Sequence, residues 1–190
     1  MTEHETAPAG RAESTLRLSY DAFCQTHSPA WVGLARARLH DDVRVLHTVE
    51  RMKEQLWRQW PLALRHRVPA AFAWTLIKSA VEDAVAEVIT QTGRPPGSPL
   101  ADRAEAIRHF AAQARVSLEE LSEHEDLYQA ILRLAERQYD IVVLRYLLGL
   151  RDSLIAEHLD ISESNVRTTA HQAVRKLRRL LGAKDGESTE

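Results

Sequence analysis

Apolar residues recur at helical spacing along most of this 190-residue chain. Leu127, Ile131 and Leu134 fall at i, i+4 and i+7, and similar stripes run through residues 43–57 and 70–89. Strand signals are missing, because aromatic residues make up only 6% of the chain and no period-two alternation is sustained. The pattern predicts an all-α fold.

Proline and glycine divide the helical stretches into two groups. Residues 93–99 read Gly-Arg-Pro-Pro-Gly-Ser-Pro, which no helix can continue through, and an acidic stretch follows. We therefore predict two small helical domains, residues 15–92 and 127–182, joined by a Pro/Gly-rich and acidic linker over residues 93–126. Residues 1–14 are expected to form a flexible arm and residues 183–190 a frayed tail. The Ser28-Pro29 pair predicts a break or kink in the first helix.

The strongest local signal lies between Asp152 and Leu181. A short helix ending near His158-Leu159 is followed by a four-residue turn and a longer helix. Asp160 tolerates the left-handed backbone that such a turn needs, and Ser162 stands at the N-cap position of the second helix. The small side chain of Ala156, in the middle of the first helix, allows the second helix to pack closely against it. This arrangement predicts a C-terminal helix-turn-helix.

The second helix of this pair is basic on its outer side. Residues 163–184 carry six basic residues and one acid, a net charge of +5, whereas the whole chain has a net charge of −2. This contrast favours a nucleic acid as the partner, although a basic helix face is also compatible with simple solvation. At the start of the helix Asn165 and Arg167 are predicted to reach base edges, and later Arg175 and Arg178 are predicted to contact phosphates.

Composition argues against several other classes of protein. One cysteine, Cys24, excludes an internal disulfide and a thiolate metal site and suggests a reducing, cytoplasmic setting. The nine histidines form only isolated His–carboxylate pairs, each short of the three or four ligands that zinc needs. No catalytic motif, secretory signal or membrane-spanning stretch is visible. We expect no enzymatic activity, no bound metal or cofactor, no small-molecule substrate and no association with a membrane.

The C-terminal segment resembles a known family. Residues 134–138, Leu-Ala-Glu-Arg-Gln, lead into an apolar run ending Leu-Arg-Tyr at Tyr146, and residues 155–163 read Ile-Ala-Glu-His-Leu-Asp-Ile-Ser-Glu. This pattern resembles the promoter-binding C-terminal domain of bacterial sigma factors of the extracytoplasmic-function type. Ala135 stands where the family has proline, and Thr169 and Gln172 stand where arginines are usual.

The resemblance implies that the domain binds the upstream (−35) promoter element in the major groove. Together with the charge pattern, it gives the following candidate DNA-binding residues: Ser162, Glu163, Ser164, Asn165, Arg167, Thr168, His171, Gln172, Arg175 and Arg178. The implied partners are promoter DNA, core RNA polymerase and an anti-sigma factor.

The N-terminal half resembles the family's other conserved domain in a diverged form. In the family its second helix binds the largest subunit of the polymerase and its third helix melts and reads the downstream (−10) element. By this resemblance Glu50, Arg51, Glu54 and Trp57 are the candidate polymerase-binding residues. Ionic pairing along the helix is an alternative role for these charges. Residues 84–87 stand where the family has a basic segment, and this region carries Glu82, Asp83 and Glu87 against Lys78.

Three functions therefore stay open. The first is a sigma factor that directs core polymerase to promoters. The second is a helix-turn-helix regulator that has lost promoter melting. The third is a sigma-like interaction protein that binds polymerase or an anti-sigma factor without productive promoter contact.

Overall fold

The computed structural model describes residues 8–39, 41–93 and 124–182. Within these ranges the secondary structure is helical, with no strand, which confirms the predicted all-α class. The helices of the first half are α1 (Pro8–Arg38), α2 (Asp42–Arg58), α3 (Trp60–Ala63) and α4 (Pro69–Thr92). Those of the second half are α5 (His124–Leu132), α6 (Glu136–Val142), α7 (Asp152–Leu159) and α8 (Glu163–Gly182), with a π-helical turn at Val143–Leu147 after α6.

Helices α1, α2 and α4 pack together around tryptophan side chains. Trp31, Trp60 and Trp74 are all buried, and Trp57 is half-buried at the rim. The indole of Trp60 donates a hydrogen bond to the Ser19 hydroxyl (3.0 Å), so its polar atom is satisfied inside the core. Trp31, Trp60 and Trp74 therefore belong to the packed core of this half.

Helix α1 differs from its prediction at two places. It begins at Pro8, so residues 8–14 are helical where a flexible arm was expected, and residues 1–7 lie outside the described ranges. It also runs through Pro29 without a break. Burial of Trp31 and Leu34 on the following turns outweighs the backbone hydrogen bond that proline removes.

The second half begins a little earlier than predicted, since α5 starts at His124 instead of residue 127. Between α6 and α7 the apolar run widens into the π-helical turn, which buries Val143, Leu144 and Tyr146. The chain then reverses at Gly149, whose φ of 65° lies in the left-handed region that favours glycine. The predicted linker falls mostly on residues 94–123 and the predicted frayed tail on residues 183–190, both outside the described part.

The two halves contact each other directly and share one hydrophobic core. Helix α1 meets the π-helical turn, and α4 meets α7. A methyl group placed on Gly33 would lie only 2.3 Å from a terminal carbon of Leu148, so any larger residue at this position would have to displace the Leu148 side chain. The sequence predicted two helical units joined by a linker, but it did not predict this direct contact between them.

Candidate nucleic-acid interface

The turn between α7 and α8 has the geometry that the sequence predicts. Asp160 adopts a left-handed backbone (φ 52°, ψ 51°) directly after α7. The amide of Ile161 donates to the carbonyl of Ala156 (3.0 Å), which closes the end of the helix. The direction in which α8 leaves α7 is therefore held by backbone hydrogen bonds.

The start of α8 is capped by Ser162. Its hydroxyl accepts a hydrogen bond from the amide of Asn165 (3.2 Å), and its carbonyl accepts from the amide of Val166 (3.0 Å). The acidic Glu163 lies in the first turn, where a negative charge is favoured by the helix dipole. The predicted N-cap is confirmed.

One face of α8 is buried and the opposite face is open. Val166, Ala170, Ala173 and Leu177 are almost fully buried, as the apolar stripe predicts. Ala156 on α7 is also buried, and its small side chain permits the close helix crossing. Packing thus fixes which side of α8 faces outward.

The ten candidate DNA-binding residues are all exposed, and they lie at the N-cap of α8 or along the helix as far as Arg178. They are Ser162, Glu163, Ser164, Asn165, Arg167, Thr168, His171, Gln172, Arg175 and Arg178. Helix α8 has five basic residues and one acidic residue, which gives a net charge of +4. Among the basic residues, Lys176 directs its ammonium to the turn after α5, since it donates to the carbonyl of Arg133 (3.1 Å).

Arg167 belongs to an ionic network at the start of α8. Its guanidinium lies 3.6 Å from the carboxylate of Asp152 and 3.4 Å from that of Glu163. Asp152 in turn lies 3.4 Å from the guanidinium of Arg145. Sequence reasoning missed Asp152 and Arg145, because neither lies on α8 and no spacing rule links them to it.

The candidate polymerase-binding residues lie along one helix, α2. Glu50, Arg51 and Glu54 are exposed, whereas Trp57 is half-buried under Tyr20, with ring centroids 5.0 Å apart. The ionic pairs along the helix, which are the alternative role of these charges, are present in the structure. The ammonium of Lys53 lies 2.8 Å from Glu50, and the guanidinium of Arg58 lies 3.6 Å from Glu54. Arg51 is exposed and has no ion pair within the described residues.

A cleft of about 660 Å³ lies between α4 and the second half, beside the contacts that join them. Phe72 and Ser79 line it from α4, and Arg137 and Asp140 line it from α6. Burial raises the pKa of the Asp140 carboxyl, although the nearby ammonium of Lys78 opposes this shift. Lys78 also holds the pKa of the exposed Glu136 below its usual range.

A pair of histidines is buried where α1 and α4 meet α7. The rings of His27 and His158 lie 5.0 Å apart, and Trp74 lies 5.2 Å from His158. Burial, with a smaller contribution from the neighbouring His27, lowers the pKa of His158 to about 4. The pKa of His27 is also lowered by burial, against an opposing effect of Glu157. Both rings are therefore uncharged at neutral pH.

Neither a cluster of metal ligands nor a membrane-spanning helix occurs in the described part of the chain. Over residues 8–39, 41–93 and 124–182, no three His, Cys, Asp or Glu side chains come together as metal ligands would. None of the helices in these ranges combines the length and apolar character that crossing a bilayer requires.

Comparison with known proteins identifies the C-terminal segment. Residues 124–177 match the family model described as Sigma-70, region 4. This range begins with α5 and ends within α8, so it contains α7, the turn and most of α8, and it confirms the resemblance noted there. No curated protein and no solved structure matches the chain.

Proposed function

We propose that the protein is a sigma factor that binds core RNA polymerase and directs transcription initiation at particular promoters. In this proposal the outer face of α8 contacts the upstream promoter element and α2 contacts the polymerase. The polymerase supplies the chemistry, so the protein needs no cofactor. Its place of action would be the bacterial cytoplasm, with an anti-sigma factor as a further possible partner.

One observation carries the proposal. An exposed, basic helix face is presented by a capped and hydrogen-bonded turn, within the segment that matches sigma-70 region 4. Major-groove recognition by a helix-turn-helix needs donors on the outer face of the second helix and a rigid inner face. Both conditions are met by α8.

The test is run-off transcription with purified core RNA polymerase and a fragment library of the host genome. Promoter-dependent transcripts that appear only with the protein present would support the sigma factor. A charge-reversed protein, Arg51→Glu with Glu54→Arg, should transcribe less because its contact with polymerase is weakened. The matched control is Arg36→Asp with Asp42→Arg, which reverses an ion pair between α1 and α2 (3.1 Å) away from those residues.

A second candidate is a helix-turn-helix regulator that does not melt promoters. It is favoured by the charge of α4, whose sequence holds one basic residue, Lys78, against Glu82, Asp83 and Glu87. A surface that holds separated DNA strands needs cations near phosphates. Sequence-specific DNA binding without polymerase, and without transcripts, would favour this candidate.

The third candidate, a sigma-like interaction protein, is separated by the same assays. It would bind polymerase or an anti-sigma factor and give neither transcripts nor sequence-specific DNA binding. A pull-down of core polymerase by the full chain, run beside the transcription assay, distinguishes it from the other two candidates.

A further inference from the structure

Three elements of the second half are joined through ion pairs at Arg167. Its guanidinium nitrogen Nη1 lies 3.4 Å from a carboxylate oxygen of Glu163, one turn earlier on α8, and 3.6 Å from Oδ2 of Asp152 on α7. The other oxygen of Asp152, Oδ1, lies 3.4 Å from Nε of Arg145 in the π-helical turn. Two arginines and two carboxylates therefore form one chain of ion pairs from the π-helical turn through α7 to α8.

Asp152 is the most shielded member of this chain. It is the first residue of α7, where the helix dipole favours a carboxylate, and its side chain is only 18% exposed. Arg145 is 27% exposed, whereas Arg167 is 53% exposed and borders the open face of α8. An ion pair with an exposed partner adds little stability. The consequence of the arrangement is therefore the position of the Arg167 side chain.

The way Arg167 is held leaves one edge of its guanidinium for DNA. Both acids contact Nη1, so the edge formed by Nε and Nη2 can donate two parallel hydrogen bonds. Arginine reads a base edge in the major groove through a bidentate contact of this kind. A long side chain loses rotamer freedom when it is ordered on DNA, and ordering by Asp152 before binding reduces that loss.

The charge of the network also favours a base over a phosphate. Its two arginines and two carboxylates sum to no net charge. Phosphate contacts are driven by positive charge that releases counterions from DNA, so a neutralised Arg167 gains less from the backbone. Readout of a base depends instead on the direction of the donors, which the network holds.

We propose that Asp152 is a positioning residue for promoter recognition, which holds the Arg167 guanidinium for a base edge and away from the phosphates. Asp152 contacts no base itself, because it acts through Arg167, and Arg145 fixes its carboxylate. The proposal rests on the proposed contact between α8 and the upstream promoter element. It adds a residue of α7, outside the recognition helix, to the determinants of sequence preference.

The test uses the full chain in complex with core RNA polymerase. Duplexes that the wild-type complex selects from a random-sequence library give the preferred element, and single-base variants of it give the discrimination at each position. Asp152→Asn should reduce discrimination roughly fivefold at the position that Arg167→Ala also affects. Random-sequence duplex should bind more tightly, with a salt slope steeper by up to about 1, because the released Arg167 can reach a phosphate.

A role of Asp152 in folding alone predicts a different result. Damage to α7 would weaken binding to the preferred and the random-sequence duplex alike. In an Arg167→Ala background, positioning predicts that Asp152→Asn causes no further loss of discrimination. The matched control is Asp42→Asn, since Asp42 is the first residue of α2 and also pairs with an arginine, Arg36 (3.1 Å). It should leave the discrimination and the salt slope unchanged.

Helical circular dichroism verifies that each variant folds. Asp152→Ser, which also lacks the charge, takes the place of the asparagine variant if that protein does not fold. Wild-type discrimination in a folded Asp152 variant, or an equal loss with and without Arg167, would overturn the positioning role. A library from which the wild-type complex selects no sequence would contradict the proposed function and, with it, the role of Asp152.

Discussion

The guanidinium of Arg67 donates a hydrogen bond to the carboxylate of Asp160, the residue whose left-handed backbone turns the chain between α7 and α8. The pair joins the loop before α4 to the helix-turn-helix. Arg67 is largely exposed, so solvent screens the attraction and the pair contributes little stability, about 0–1 kcal/mol. The backbone conformation of Asp160 is the larger determinant at this position.

Substitution of Asp160 separates the two effects. Asp160→Ala should lower the free energy of unfolding by about 1 kcal/mol or more, because a left-handed backbone is sterically unfavourable for alanine and the ion pair is lost. Asp160→Gly loses the same pair but adopts this conformation freely, so its stability should be close to that of wild type. Urea unfolding followed by circular dichroism measures both. Equal losses in the two variants would mean that the ion pair outweighs the backbone effect.

Two arginines on α8 should control how DNA binding depends on salt. Arg175→Ala or Arg178→Ala each removes about one phosphate contact, so the slope of log affinity against log salt should shrink by about 1. Fluorescence anisotropy with a labelled promoter fragment gives the slope. Arg36→Ala, an exposed arginine on α1, is the control and should leave it unchanged. An unchanged slope for both α8 variants would remove this face of the helix as the DNA surface.

Arg167 should contribute specificity instead of general affinity. It lies at the start of α8, the end of a recognition helix that enters the groove, and it is held beside Asp152 and Glu163. Arg167→Ala should reduce discrimination at one or two promoter positions by about 1–3 kcal/mol, the value of a bidentate contact to a base. Competition between promoter and random-sequence duplexes measures this. Equal weakening on both DNAs would make Arg167 a phosphate contact.

The buried histidines should make stability depend on pH. In the folded protein His158 has a pKa of about 4, so it stays neutral where an unfolded histidine, with a pKa of about 6.5, takes up a proton. The unfolded state therefore binds more protons below about pH 6.5, and stability falls as the pH drops from there toward 4. At pH 5 this single group should cost about 2 kcal/mol relative to neutral pH.

His158→Phe should remove most of this loss, whereas His47→Phe, at an exposed position on α2, should not. Urea unfolding at pH 7.5 and pH 5 gives the comparison for each protein. Asp140 titrates in the opposite sense, since burial raises its pKa, but it does so in all three proteins and cancels from the differences. If wild type and His158→Phe lost the same stability on acidification, the buried His158 would not be the source.

The helix-turn-helix was predictable because its signals are local. The tolerance of Asp160 for a left-handed backbone, the hydroxyl of Ser162 at the N-cap and the apolar stripe of α8 act within a few residues of one another. The confirmed stripe also determined which side of α8 faces outward, and hence which residues are candidates for DNA contact.

The contact between the halves was not predictable in the same way. Lys78 and Asp140 are 62 residues apart, and Gly33 and Leu148 are farther apart still. No periodicity or spacing rule relates such residues, since their meeting depends on how whole helices pack. The helix through Pro29 has the same explanation, because burial of residues beyond the proline outweighed a local signal for a break.

In the proposed sigma factor, the outer face of α8 lies on the upstream promoter element when the protein is bound to polymerase. Cys24 is the only cysteine, so Gln172→Cys in a Cys24→Ser background carries one iron-chelate cleavage reagent on this face. The polymerase complex should cut promoter DNA at the upstream element, and the same reagent at Glu54→Cys on α2 should not cut there. Cutting at random positions, or no cutting from position 172 in a complex that still transcribes, would contradict this placement of α8 on promoter DNA.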